Sequence, residues 1–162
     1  MSLGVISGLI IAATVLHGFI AGIGVDRVLV QMPAWRKVGS RAWAAYSRHA
    51  DLGNGLFLYP FEAIAGALLT IVAAMMYFLN QSLPRSAAAP IYLAVLFAVG
   101  GLLATARAAP KMMSLRQIGH NPSAIQEAFE GFDRWGAVRA ILQALAFGAN
   151  IWSLVALLGG IH

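Results

Sequence analysis

Residues 55–79 read GLFLYPFEAIAGALLTIVAAMMYFL, an apolar run interrupted by one charge, Glu62, and one proline, Pro60. It exceeds the roughly 20 residues needed to cross about 30 Å of hydrocarbon. In lipid, every backbone N–H and C=O of such a run must be satisfied within it, so the run predicts a helix. Similar runs occupy Leu3–Gly24, Ala87–Ala106 and Ala137–Ile161. With their flanks they predict helices over 3–24, 55–80, 87–108 and 123–160, in one domain, 1–162. Hydrophobic residues make up 60% of the chain and charged residues 10%, against about 25% charged in an ordinary soluble domain. The fold predicted is all-α: an antiparallel bundle of four transmembrane helices.

The first run lacks the basic start and small-residue cleavage site of a signal peptide, so it reads as a membrane helix. Cysteine is absent, which excludes disulfides and thiolate chemistry. Of eleven Lys and Arg residues, Arg27, Arg36, Lys37, Arg41 and Arg48 lie between the first and second helices. Arg107, Lys111, Arg116, Arg134 and Arg139 flank the connection between the third and fourth. Only Arg85 sits in the Gln81–Ser86 turn. The positive-inside rule then places both long loops in the cytoplasm and both termini outside, as in a bacterial inner membrane. The net charge of +5 is explained by anionic lipid beside the helix ends rather than by nucleic acid.

Between Pro33 and His49, Trp35, Val38, Ala42 and Tyr46 recur at helical spacing among basic residues. This pattern predicts an amphipathic helix lying in the membrane interface. Trp35, Trp43 and Trp135 match an aromatic belt. Asn121-Pro122-Ser123 reads as a helix start, with Asn121 as cap and Pro122 in the first turn.

Ionisable groups inside a membrane are costly and point to function. Glu62 lies about two turns into the second helix, and Arg139 opens the fourth. Arg139 is the expected partner of Glu62, either in a structural ion pair that orients the bundle or in catalysis, with Glu62 or a histidine as general base and Arg139 stabilising the developing negative charge. Gln143 and Asn150 follow Arg139 at helical spacing and, with Trp135, are candidates for contacting substrate. His17, His49, Asp51 and Glu62 together offer imidazole and carboxylate ligands, a mixture suited to iron or copper. No Glu-x-x-His or His-x-x-x-His spacing fixes any two of them on one helix face.

The stretch SAIQEAFEGFDRWGAVRAILQALAFGANIWSLVALL, Ser123–Leu158, resembles the anthrone-oxygenase-like family of small four-helix membrane proteins. The resemblance is carried by Ala128-Phe129-Glu130, Trp135, Arg139 and Trp152, with Pro33 and Pro110 in support. Gly136 stands where family members often have asparagine. The resemblance implies the four-helix fold and an oxygenase acting on polycyclic anthrones, with Glu130, Trp135 and Arg139 as shared residues.

Two functions are therefore expected. The first is an integral membrane oxidoreductase, oxygenase-like, that takes an apolar or aromatic small molecule at the cytoplasmic end of the bundle. The alternative is a non-enzymatic accessory or scaffolding subunit of a larger membrane complex or homo-oligomer.

Overall fold

A computed structural model describes residues 3–80 and 83–159. Six helices run in chain order: α1 (Leu3–Asp26), α2 (Met32–Val38), α3 (Ser40–His49), α4 (Gly55–Leu79), α5 (Ala88–Met113) and α6 (Pro122–Gly159). Four stretches are long and apolar enough to cross a membrane, and they match the four predicted helices. The predicted ends at 160 and 162, and part of the Gln81–Ser86 turn, fall outside the described residues. The helices outrun the bilayer. At about 1.5 Å per residue, α6 is about 57 Å long, so one end of the bundle projects beyond the hydrocarbon.

Contacts run in opposite senses along neighbouring helices. Gly18 faces Phe147 while Gly24 faces Ala140. Likewise Gly101 meets Gln143 while Gly131 meets the Lys111 side chain. The close approach at Gly24 suits glycine, because a Cβ there would lie 3.1 Å from Ala140 Cβ, tighter than ordinary van der Waals contact. In lipid no hydrophobic force drives helices together, so small residues that admit close packing matter most. The waist of the bundle is accordingly built from Ala67, Ala98 and Ala146. Larger residues fill the two ends, with Ile6, Ile10, Tyr77, Ile91 and Leu157 at one. Trp43, Met112, Leu115, Phe129 and Phe132 fill the other, which carries the basic connections.

The single amphipathic helix predicted over 33–49 is two helices. Gly39, at φ 107°, breaks them, a conformation open mainly to glycine. The break folds α3 back so that Trp35 and Tyr46 pack ring on ring at 5.2 Å. Trp43 is not an aromatic-belt residue. It is 2% exposed and edge-on to Phe129, 5.2 Å between centroids.

Several basic residues that set the predicted topology also tie the two long connections together. Arg48 donates to Leu115 O at 3.0 Å and to Gly119 O at 2.5 Å. Arg116 donates to Leu52 O at 3.2 Å and Arg36 pairs with Asp133, while Lys111 pairs with Glu127 at 2.9 Å across the second connection itself. Asn121 caps α6 as predicted, its Oδ1 accepting from Ser123 N at 3.2 Å and Ala124 N at 3.4 Å.

Candidate functional site

The buried residues of α1 step by threes and fours: Ile6, Ile10, Ala13, His17, Ile20 and Gly24. This is the stripe that faces the bundle interior. Arg27 continues it and is buried as well, 8% exposed. A charge so placed needs a partner, and Asp51 supplies it: Arg27 Nη2 lies 2.5 Å from Asp51 Oδ1. Each partner sits in a π-helical turn, Arg27–Gln31 and Ala50–Asn54 respectively. Such turns are frequent at functional sites. In the second turn, Gly53 leaves helical geometry altogether, at φ −90° and ψ −121°. The chain can thereby turn Asp51 inward before α4 begins.

The pair forms one wall of a chamber of ≈ 90 Å³. Leu56, Tyr59 and Pro60 of α4, Thr105, Ala109, Met112 and Met113 of α5, and Phe132, Arg139 and Gln143 of α6 line the rest. Both guanidiniums lie against the Phe132 ring, Arg27 at 5.5 Å and Arg139 at 5.7 Å from its centroid. Arg27 is also 5.4 Å from the Tyr59 ring. Cations within about 6 Å of a ring centroid are attracted by its quadrupole. Arg139 Nε is occluded and has no hydrogen-bond partner. The wall residues Leu56, Tyr59 and Pro60 of α4 and Thr105 and Ala109 of α5 are half-buried, and Met113 at the end of α5 is exposed, so the chamber is not closed off from the outer surface on its α4–α5 side.

The pair expected from sequence, Glu62 with Arg139, does not form. Three ion pairs occur among the described residues, and none contains Glu62. Arg139 instead interacts with Arg27 and Asp51. Glu62 is buried with one carboxylate oxygen unpartnered, and it is not a wall of the chamber.

The proposed metal set is not assembled either. Among the described residues no three His, Asp or Glu side chains come together. His17, on the buried stripe, is committed to α4: Thr70 Oγ1 donates to Gly66 O at 2.9 Å and therefore accepts from His17 Nε2 at 3.2 Å. His49 is exposed at the end of α3, and Asp51 is held by Arg27. These four residues, as placed, do not fit an iron or copper site.

Of the expected substrate contacts, Gln143 lines the chamber. Trp135 stacks instead with Arg107 at 5.9 Å. Asn150 is buried but donates to Ala146 O of its own helix at 2.9 Å. The polar stripe of α6 does face the interior, and Arg139 and Gln143 both reach the chamber. Sequence reasoning assigned Arg27 and Tyr59 no role at the site. Arg27 carried a readable signal, because it falls in phase with His17, Ile20 and Gly24.

Comparison with known proteins adds no relative: no family model, curated protein or solved structure matches this chain.

Proposed function

We propose that the chain is an integral membrane oxidoreductase of oxygenase-like type, acting at this chamber on an apolar aromatic molecule that arrives through the lipid. One observation carries the reading. Two guanidiniums and a carboxylate converge in a largely apolar chamber that is not closed off on its α4–α5 side. Apolar walls with a few convergent polar groups are the usual form of a small-molecule site.

The chamber is smaller than the ~300 Å³ of a typical ligand pocket. Only the reacting end of a polycyclic substrate enters, and its remaining rings lie past Met113 toward the lipid. In this reading Asp51 removes a proton from an activated CH₂ beside a phenolic ring. The charge moves onto the substrate oxygen that faces Arg139. Dioxygen is the oxidant. The CH₂ becomes C=O, and its two hydrogens leave with the second oxygen atom as one water. The base is thus Asp51 rather than Glu62, and Arg139 keeps the role the sequence assigns it. The basic end of the bundle is proposed to face the cytoplasm of a bacterial inner membrane, with the α2–α3 corner at its surface.

The test is conversion of a phenolic anthrone to its quinone by the purified protein in lipid nanodiscs under oxygen. Asp51→Asn and Arg139→Gln, each verified as folded, are expected to lower turnover by roughly 10²–10³-fold. Turnover no faster than in protein-free nanodiscs, or a folded Arg139→Gln protein as active as the parent, overturns the reading.

A further inference from the structure

Arginine keeps its proton inside proteins. The chamber walls carry two arginines, Arg27 and Arg139, against one carboxylate, Asp51. Arg27 and Asp51 neutralise each other at 2.5 Å, so one positive charge is left over. Three ion pairs occur among the described residues, and Arg139 belongs to none of them. Its guanidinium lies 5.7 Å from the Phe132 ring centroid, and its Nε is buried without a hydrogen-bond partner. A ring face attracts a cation but supplies no counter-charge. The other elements bring no second carboxylate: α4 offers the Tyr59 hydroxyl, Glu62 is not a wall, and α5 contributes Thr105, Ala109, Met112 and Met113.

Burying a charge is costly unless it is paired, so a guanidinium without a partner in largely apolar walls favours an anion brought from outside. Size and charge select that anion. The chamber of ≈ 90 Å³ has room for a monatomic ion and a water or two, at about 30 Å³ of liquid volume per water. A monovalent ion matches the one excess positive charge, whereas a divalent ion would leave the chamber net negative. Gln143, also a wall, adds amide donors that an anion can accept from. We infer that the chamber holds a monovalent inorganic anion of halide size, chloride under physiological conditions, as the counter-ion of Arg139. This goes beyond the oxygenase reading, because it rests on the chamber alone and not on the reaction placed there. The two meet at one point. A ligand on which negative charge develops at Arg139 displaces the ion, so chloride competes with it.

The protein in phosphatidylcholine nanodiscs is dialysed to equilibrium against radioactive chloride. Ionic strength is held constant with gluconate, an anion too large for the chamber. One saturable chloride per chain is expected, displaced by bromide and not by sulfate. Arg139→Lys keeps the charge and keeps the site, whereas Arg139→Gln loses it. Asp51→Asn removes the like-signed charge and strengthens binding about 10- to 1,000-fold, the range over which a charge about 4–6 Å away shifts a protonation equilibrium.

If Arg139→Gln or Asp51→Asn does not fold, the parent and Arg139→Lys, compared in bromide and sulfate, still decide the outcome. No saturable chloride above protein-free nanodiscs overturns the inference, as does equal binding by a folded Arg139→Gln protein. Sulfate that competes as well as bromide assigns the site to a larger oxyanion and overturns it too. Chloride binding without conversion of an anthrone supports this inference and removes the oxygenase reading. Conversion without chloride binding does the reverse.

Discussion

Replacing Asp51 by Asn removes the one carboxylate facing two guanidiniums and leaves the geometry otherwise unchanged. The Arg27 and Asp51 side chains are 9% and 7% exposed, so water does little to compensate either charge. Breaking a buried pair from one side costs about 3–5 kcal/mol, chiefly through the charge left unpaired. Here Arg27 would be left opposite Arg139, which places the expected cost in the upper half of that range. The reverse change, Arg27→Met, is milder, because Arg139 remains beside Asp51 and takes over as its partner. Removing both charges, Arg27→Met with Asp51→Leu, returns most of the loss, since well-packed apolar replacements of buried pairs are often neutral or better. The cycle is measured by equilibrium denaturation in mixed micelles, with circular dichroism and the fluorescence of buried Trp43 as probes. A coupling energy of about 3 kcal/mol is expected. The reasoning is refuted if Asp51→Asn costs less than about 1 kcal/mol, or if the two single changes add without coupling.

Three further changes probe the interior of the bundle and a fourth serves as an exposed control. Trp43→Ala empties the contact with Phe129 and Phe132 and is expected to cost about 3–5 kcal/mol, whereas Trp152→Ala, at a 52% exposed position, should stay within about 0.5 kcal/mol in the same denaturation assay. Gly55→Ala would place a Cβ 2.7 Å from Tyr59 Cε2 and 3.0 Å from Ala50 O; it should cost about 1–3 kcal/mol and slow anthrone conversion by displacing Tyr59, both read on one preparation. Thr70→Val removes the hydroxyl that accepts from His17 Nε2 and should lower stability by about 1–3 kcal/mol, with anthrone conversion in the folded fraction unchanged because neither residue lines the chamber.

The four long helices were legible because lipid leaves a long apolar run no alternative to a helix. The α6 start was equally legible, since Asn121 and Pro122 act through local capping chemistry alone. The break at Gly39 was not: the spacing of Trp35, Val38, Ala42 and Tyr46 fits one continuous helix, and a positive φ at a single glycine leaves no mark on periodicity. Trp43 was misread for the same reason, because its burial depends on α3 folding back over α6.

At the site, Arg139 and Gln143 were found from their helical phase on α6. Pairing Arg139 with Glu62 failed because depth in the membrane says which charges need partners, and not which helix faces meet. The π turns at Arg27–Gln31 and Ala50–Asn54 decide that. Arg27 enters the first turn in phase with α1, whereas Asp51 reaches it only because Gly53 leaves helical geometry in the second, which spacing counted at 3.6 residues per turn does not register. Arg27 was assigned to a topogenic loop, although it extends the buried stripe of α1 by one more step.

The most direct test of the chamber as the ligand site is photolabelling with a diazirine-bearing anthrone in lipid nanodiscs, followed by mass mapping of the adducts. The account predicts labels on the α4 and α5 walls, at Tyr59, Met112 and Met113, that are competed by unlabelled anthrone and lost in Arg139→Gln. Labels spread over lipid-facing residues such as Phe61 and Leu103, insensitive to competitor and to that substitution, would contradict it.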